Sequence, residues 1–407
     1  MQSAEGWIEL GNRVFFPVYP RLPIVIDRAQ GCMLYDVEGK SYLDFLSGIG
    51  VNALGYAHPR LMEALKEQMD RFLHLSNFFY QPPQILLAQR LLQRTGMQKL
   101  FFTNSGSEAI EAALKLARRW GAQNGKSEIL GFIGGFHGRT YGPLSIMHQA
   151  RFREQMGPFL PDTLVAPFND PATLPQFITE QTAAVVLEII QGAGGIVEAT
   201  SDFLQTLADL HRQLGFLLIV DEIQTGFGRT GSWFAVDHTP LRPDMLTLGK
   251  AIGGGLPLGA LLGGPRVADL WDLGHHGSTY GGNALACVAG LVVLEELENG
   301  LLEHVQQMAT ILEEHLQQLQ QQFPHLIREL RGRGLMRGIV LSQPAAPFAQ
   351  AAVYEGLIIN ATAHTVLRLL PPLIISEEEL TTGIRILARL FERIQISSGG
   401  DEAEAAA

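Results

Sequence analysis

The chain has 407 residues, enough for roughly two to three domains, and 46% of them are hydrophobic against 17% charged, the balance of a packed globular protein. With 30 Lys and Arg against 41 Asp and Glu the net charge is −11, a poor surface for a phosphate backbone, so nucleic acid is not an expected partner. Cys32 and Cys287 stand far apart with no CxxC or Cys/His cluster, which argues against a disulfide framework or a metal site and for a reducing, cytoplasmic location.

The opening MQSAEGWIEL lacks a basic stretch followed by an apolar one, and no run approaches the roughly 18 apolar residues of a membrane span. A soluble, unexported protein without a membrane partner is expected. Residues 1–50 hold strand-like pieces, IVIDRAQ and CMLYDVEG, and are expected to pack with a small C-terminal domain. Residues 51–285 form the predicted large domain. Within it short apolar runs alternate with helix-length amphipathic segments: KLFFT at 99–103, EILGFI at 128–133, AAVVLEII at 183–190, FLLIVDEI at 216–223 and DMLTLGK at 244–250. These five runs predict buried strands of a mostly parallel sheet, hence an α/β fold.

After the first run, Ser105-Gly106-Ser107-Glu108 has the S-x-x-E form of a capping box, and the apolar spacing predicts a helix over 107–120, with Arg118 and Arg119 in its last turn and Gly121 as C-cap. Beyond about residue 285 the texture changes to long Leu/Gln/Glu helices, then to LMRGIVL and VLRLLPPLII, predicting a smaller α+β domain over 286–395. The acidic tail, 396–407, is expected to be disordered.

In an open parallel sheet ligands collect beyond the carboxyl ends of the strands. The chemically unusual residues fall there: Ser105–Ser107 after the first run, Phe136-His137-Gly138-Arg139 after the second, Glu188 and Gln191 at the end of the third, Asp221 at the fourth, Lys250 at the fifth. Ser105, Gly106 and Ser107 suit a phosphate at a helix N-terminus, or are an ordinary cap. Asp221, closing FLLIV, is a buried anion that needs a heterocyclic N–H⁺ or an arginine, or else caps the next turn. A polar, glycine-broken loop, Gln224 to Gly231, follows it. Lys250 sits alone in an uncharged, glycine-rich setting; a desolvated lysine becomes a nucleophilic amine able to form a Schiff base. An aldehyde cofactor with a phosphate and a ring nitrogen, pyridoxal 5'-phosphate, satisfies all three features.

The stretches NALGYAHP (52–59), FFTNSGSEAIEAALKLAR (101–118), GGFHGRT (134–140), DEIQTGFGRTG (221–231), LGKAIGGGLPLGA (248–260), HGSTYGGNALAC (276–287) and LRLLPPL (367–373) together resemble the class III pyridoxal-phosphate aminotransferases of the ornithine and N-acetylornithine group. The resemblance implies a fold-type-I homodimer with shared active sites. It implies Lys250 as the attachment lysine and proton shuttle, Asp221 as partner of the pyridine nitrogen, and Ser105, Gly106 and Ser107 as the phosphate cup. Phe136 would stack on the ring with His137 beside it, Gln224 would reach the phenolic oxygen, Glu188 would join the polar network behind the ring, and Ser278 and Thr279 would complete the phosphate site from the second subunit.

Arg368 resembles the arginine that takes the α-carboxylate and Arg139 the one that takes a side-chain carboxylate, the pair suiting 2-oxoglutarate or glutamate. The resemblance thus implies ping-pong transfer from an ω-amino donor, N-acetylornithine as the best single candidate, in arginine biosynthesis. One departure stands out: where ornithine-type members carry a glutamate after Gln-Gly to screen the arginine, this chain has Ala193. A broad-scope amine or diamine ω-transaminase is the alternative it raises, with an intramolecular aminomutase more distant. A nucleotide-binding protein would need a GxGxxG after a first strand or a GKS/GKT motif, and neither is present; a cofactor-free scaffold would be colourless.

Overall fold

A computed structural model of the protein describes residues 3–404, with side chains described through residue 393. Its centre is a seven-stranded sheet in the spatial order Lys99–Thr103, Gly259–Gly263, Met245–Leu248, Leu217–Asp221, Thr182–Leu187, Glu128–Phe132, Thr163–Ala166. Only Gly259–Gly263 runs antiparallel to its neighbours, Leu248 facing Ala260 on one side and Thr103 facing Gly259 on the other. This is the α/β architecture that the alternating runs predict.

Both faces of the sheet are covered, which is why its strands read as continuous apolar runs rather than alternating ones. Alternate residues serve two cores. Ala184, Val186, Leu217 and Ile219 pack under the helix Gly106–Asn124 with Ala113, Leu114 and Trp120. Val185, Leu187, Leu218 and Val220 face the opposite core with Phe203 and Leu207 of the helix Ser201–Leu214 and Val293 of the helix Ala284–Glu296.

Two expectations for the first helix need correction. It runs one turn past the expected end, to Asn124, and Gly125 in the left-handed region (φ 68°) is its C-cap. Gly121 lies inside the helix because a Cβ there would come within 2.4 Å of the Lys126 carbonyl oxygen. Arg118 accordingly sits mid-helix and donates to the carbonyls of Ser127 and Pro161.

Two smaller sheets flank the central one. Ile26–Gln30, Met33–Asp36 and Ser41–Asp44 form an antiparallel meander, and Leu357–Ile358 adds to Ser41–Asp44 in parallel, tying the chain's beginning to its end. The other sheet joins Ile327–Arg333, Met336–Leu341, Val366–Leu369 and Asn360–Thr362, all antiparallel, beneath the helix Leu302–Gln322. The last helix, Glu377–Glu404, carries the backbone through residue 404 of the tail for which disorder is expected. Residues 405–407 lie outside the described residues. Among the described residues no helix is long and apolar enough to cross a membrane.

Candidate active site

The parallel strands deliver their carboxyl ends to one edge of the sheet, and a cavity of about 500 Å³ opens there. Lining it are Ser105, Gly106, Ser107, Phe136, His137, Arg139, Glu188, Asp221, Gln224, Lys250 and Arg368, residues spread over more than 260 positions of sequence. Ser278 and Thr279 are elsewhere, on a separate groove of about 860 Å³. Gln191 is also turned away: its Nε2 donates to the Ile133 carbonyl at 3.0 Å.

Asp221 ends the strand Leu217–Asp221 and is 2% exposed. Its Oδ1 accepts from the Ile223 N–H at 3.0 Å, and its Oδ2 pairs with His137 Nδ1 at 2.8 Å. Burial works against a charged His137 ring, but the bond to Asp221 and the charges of Asp221 and Glu188 outweigh it and raise its pKa. Glu188 interrupts the strand-like run after Leu187 and accepts from the backbone of Phe136 at 2.9 Å and Gly192 at 3.3 Å. Burial, with the nearby Asp221 charge, pushes Glu188 up to about 7 against the pull of His137.

Lys250 follows Leu248-Gly249 at the start of a single 3₁₀ turn, with φ 49°, a left-handed backbone that lysine seldom adopts and that marks sites where geometry is imposed. Its Nζ has no hydrogen bond among the described residues. Burial lowers its pKa from 10.5 to about 8, with Arg368 and Arg229 adding to the fall while Asp221 and Glu188 oppose it. An amine of this kind is a nucleophile near neutral pH.

At the N-terminus of the helix Gly106–Asn124, Ser105 Oγ accepts from the Glu108 N–H at 3.2 Å. The reciprocal bond of a capping box is displaced by one residue: Glu108 Oε2 takes the N–H of Asn104 at 2.7 Å rather than that of Ser105. The N–H groups of Gly106 and Ser107 have no partner among the described residues, and they face the cavity at the positive end of a helix. Gly138 closes over this turn so tightly that a Cβ there would stand 2.3 Å from Ser107 Oγ.

Arg368, on the strand Val366–Leu369, is 6% exposed, and its Nε donates to Asn360 Oδ1 at 3.1 Å. Burial brings it down to about 10, and Glu188 is the acid that opposes this. Thr362 Oγ1 closes the same wall with a 2.8 Å bond to the Ala193 carbonyl. Asn360, Thr362, Arg151, Phe152 and the left-handed pair Gly48-Ile49 line the cavity without belonging to any motif legible in sequence.

The aminotransferase class-III family matches residues 16–391 of this sequence. The chain belongs to that family. It is 45% identical over 376 residues to the acetylornithine aminotransferase of Aquifex aeolicus, covering 92% of this chain and 98% of the relative. It is 42% identical to that of Archaeoglobus fulgidus, over 94% of this chain and 99% of the relative. Among solved structures it resembles the ornithine aminotransferase of Toxoplasma gondii, with TM-score 0.92, 29% identity and coverage of 98% and 97% of the two chains. It also resembles the acetylornithine aminotransferase of Elizabethkingia anophelis, with TM-score 0.86, 33% identity and coverage of 97% and 100%.

The protein is thus a fold-type-I class III aminotransferase that uses pyridoxal 5'-phosphate. The cavity's chemistry fits that cofactor. Two N–H groups at a helix N-terminus are unpartnered among the described residues and suit a phosphate, a buried carboxylate is held by the Ile223 N–H and His137 Nδ1, and Gln224 Oε1 is buried without a partner at the cavity wall. Gly192 makes room for Gln224, since a Cβ would come within 1.9 Å of that oxygen.

Proposed function

We propose that this aminotransferase moves the ω-amino group of N-acetylornithine to 2-oxoglutarate in a ping-pong sequence. The observation that carries the reading is one cavity lined by a half-buried Lys250 and by Asp221, with Arg368 and Arg139 lining the same space. When bound, the cofactor would supply an aldehyde to take up the amino group and a protonated ring to accept the electron pair of the C–H bond on the amine-bearing carbon.

The chain's residues do the rest. Lys250 anchors the cofactor and, as an amine of lowered pKa, takes the proton from the substrate carbon and returns it. Asp221, fixed by Ile223 and His137, holds the ring nitrogen charged, and His137 keeps that carboxylate oriented. Ser105, Gly106 and Ser107 would hold the phosphate, Phe136 would pack on the ring, Gln224 would meet the phenolic oxygen, and Glu188 would belong to the polar network about the ring. The two arginines fork onto the two carboxylates of the acceptor.

Ser278 and Thr279 serve the active site of a second subunit, and the protein is a homodimer. Their position on a separate groove supports this, as does the exposure of Phe78, Tyr80 and Leu273 on the same groove. A division into an N-terminal segment, a large domain to about residue 285 and a small C-terminal domain belongs to the same reading, as does a cytoplasmic location, supported by two buried free cysteines.

A donor panel with 2-oxoglutarate tests the proposal. Transfer from N-acetylornithine should outpace that from simple amines, and fast transfer from amines with none from acylated ornithine would overturn it. That opposite result would favour the broad-scope ω-transaminase, which Ala193 makes the second reading. Ala193→Glu should then shift the donor preference.

A further inference from the structure

At the rim of the active-site cavity two guanidinium groups gather on one aromatic ring. The Cζ of Arg139 lies 3.6 Å from the centroid of Phe152, and the Cζ of Arg151 lies 4.6 Å from the same centroid. Arg139 also reaches the Phe136 ring, at 5.4 Å. Both arginines line the cavity, and among the described residues no carboxylate pairs with either. Burial and the charge of Arg151 together lower the pKa of Arg139, as expected of like charges held close without a counterion.

Such a pair is relieved by an anion placed between its members. A carboxylate offers about four lone-pair sites, so after accepting a fork from one arginine it can still take a second. Phe152 restrains both guanidinium planes, which lessens the rotamer freedom lost when an anion binds. Arg368, also lining the cavity, is the complement: a buried guanidinium whose Nε is spent on Asn360 and whose Nη groups have no partner among the described residues. A ligand that answers all three cations carries a carboxylate at both ends.

We propose that Arg151 is a specificity-determining residue that shares with Arg139 the distal carboxylate of a 2-oxo dicarboxylate, the other carboxylate lying on Arg368. The inference rests on the proposed acceptor, and it explains why two unpaired cations remain at the mouth of a site that already has one arginine for that end.

The test compares 2-oxoglutarate with 2-oxopentanoate, the same chain without the distal carboxylate, using holoenzyme. In a ping-pong sequence kcat/KM for the acceptor does not depend on the donor, so any competent donor serves. Arg151→Gln should lower kcat/KM for 2-oxoglutarate about tenfold more than for 2-oxopentanoate, as expected for one charged hydrogen bond at a partly exposed site, and Arg151→Lys should lose less. Calorimetry with glutarate, which cannot react, should show the same weakening, absent with pentanoate. Equal losses on both acceptors, or undiminished glutarate binding, would overturn the assignment. Wild-type enzyme that prefers neither acceptor would refute the acceptor reading itself, whereas glutarate binding judges Arg151 on its own.

Discussion

Lys250 joins the covalent role proposed for it to an imposed backbone, and its environment sets when it can act. Its amine is charged below about pH 8 in the empty site and neutral above, whereas a solvated lysine stays charged to about 10.5. Only the neutral amine attacks an aldehyde. Uptake of pyridoxal phosphate by apoenzyme should therefore quicken as pH rises through about 8 and level off beyond it, followed as the visible absorbance of the bound cofactor; a rise that continues towards 10.5 would refute the lowered pKa. Lys250→Ala should bring transamination down by about 10³-fold or more while leaving far-UV circular dichroism unchanged, since attachment and proton transfer go together. The residue was legible in sequence because a lone cation after a strand, among glycines, has little structural use. Asn360 and Arg151 were not: an Asn in a short edge strand and an Arg in a four-residue helix look ordinary until the fold brings them to the cavity.

At the scale of elements, the helix Gly106–Asn124 shows where local signals mislead. Arg118, Arg119 and Gly121 look like a helix end, but the decisive fact is the approach of Lys126 and Ala183 to Gly121, with contacts of 2.4 and 2.9 Å awaiting any Cβ. Glycine to alanine inside a helix ordinarily stabilises by about 1 kcal/mol. Here the sign reverses: Gly121→Ala should destabilise by about 1–3 kcal/mol through overpacking against a backbone carbonyl, read as a lower denaturant midpoint. Gly125→Ala meets open space and should lose only about 1 kcal/mol, from its left-handed φ. The strands divide in the same way. Long runs such as Thr182–Leu187 announced themselves, while Gly259–Gly263 and Thr163–Ala166 passed unnoticed, the first because GALLG lacks β-branched residues and the second because four residues give too little period to read. The antiparallel strand matters to the site, since it sits between the strands that lead to Ser105 and to Lys250.

For the whole molecule the question is what holds Arg368, carried by the C-terminal sheet, in register with Lys250, carried by the central one. The loop Gln224–Gly231, conspicuous in sequence, supplies an answer through Arg229, which is fully buried. Its Nη1 donates to the carbonyls of Leu335 at 3.1 Å and Pro371 at 2.5 Å, and its Nη2 reaches Ser47 Oγ at 3.5 Å. Burial lowers this arginine to about 9, opposed by Asp44. One side chain thus bridges the loop after Asp221, the turn that presents Gly48 and Ile49 to the cavity, and the segment just beyond Arg368. Arg229→Leu would leave two buried carbonyls short of a donor, a loss of about 3 kcal/mol. Because the bridge ties the wall that carries Arg368 to the wall that carries Lys250, the proposed roles of the two predict a variant that retains the cofactor's absorbance while KM for 2-oxoglutarate rises several-fold. Thermal unfolding and steady-state kinetics would check both; a variant that melts lower but keeps its KM would show that Arg229 stabilises the fold without setting the distance between the two walls.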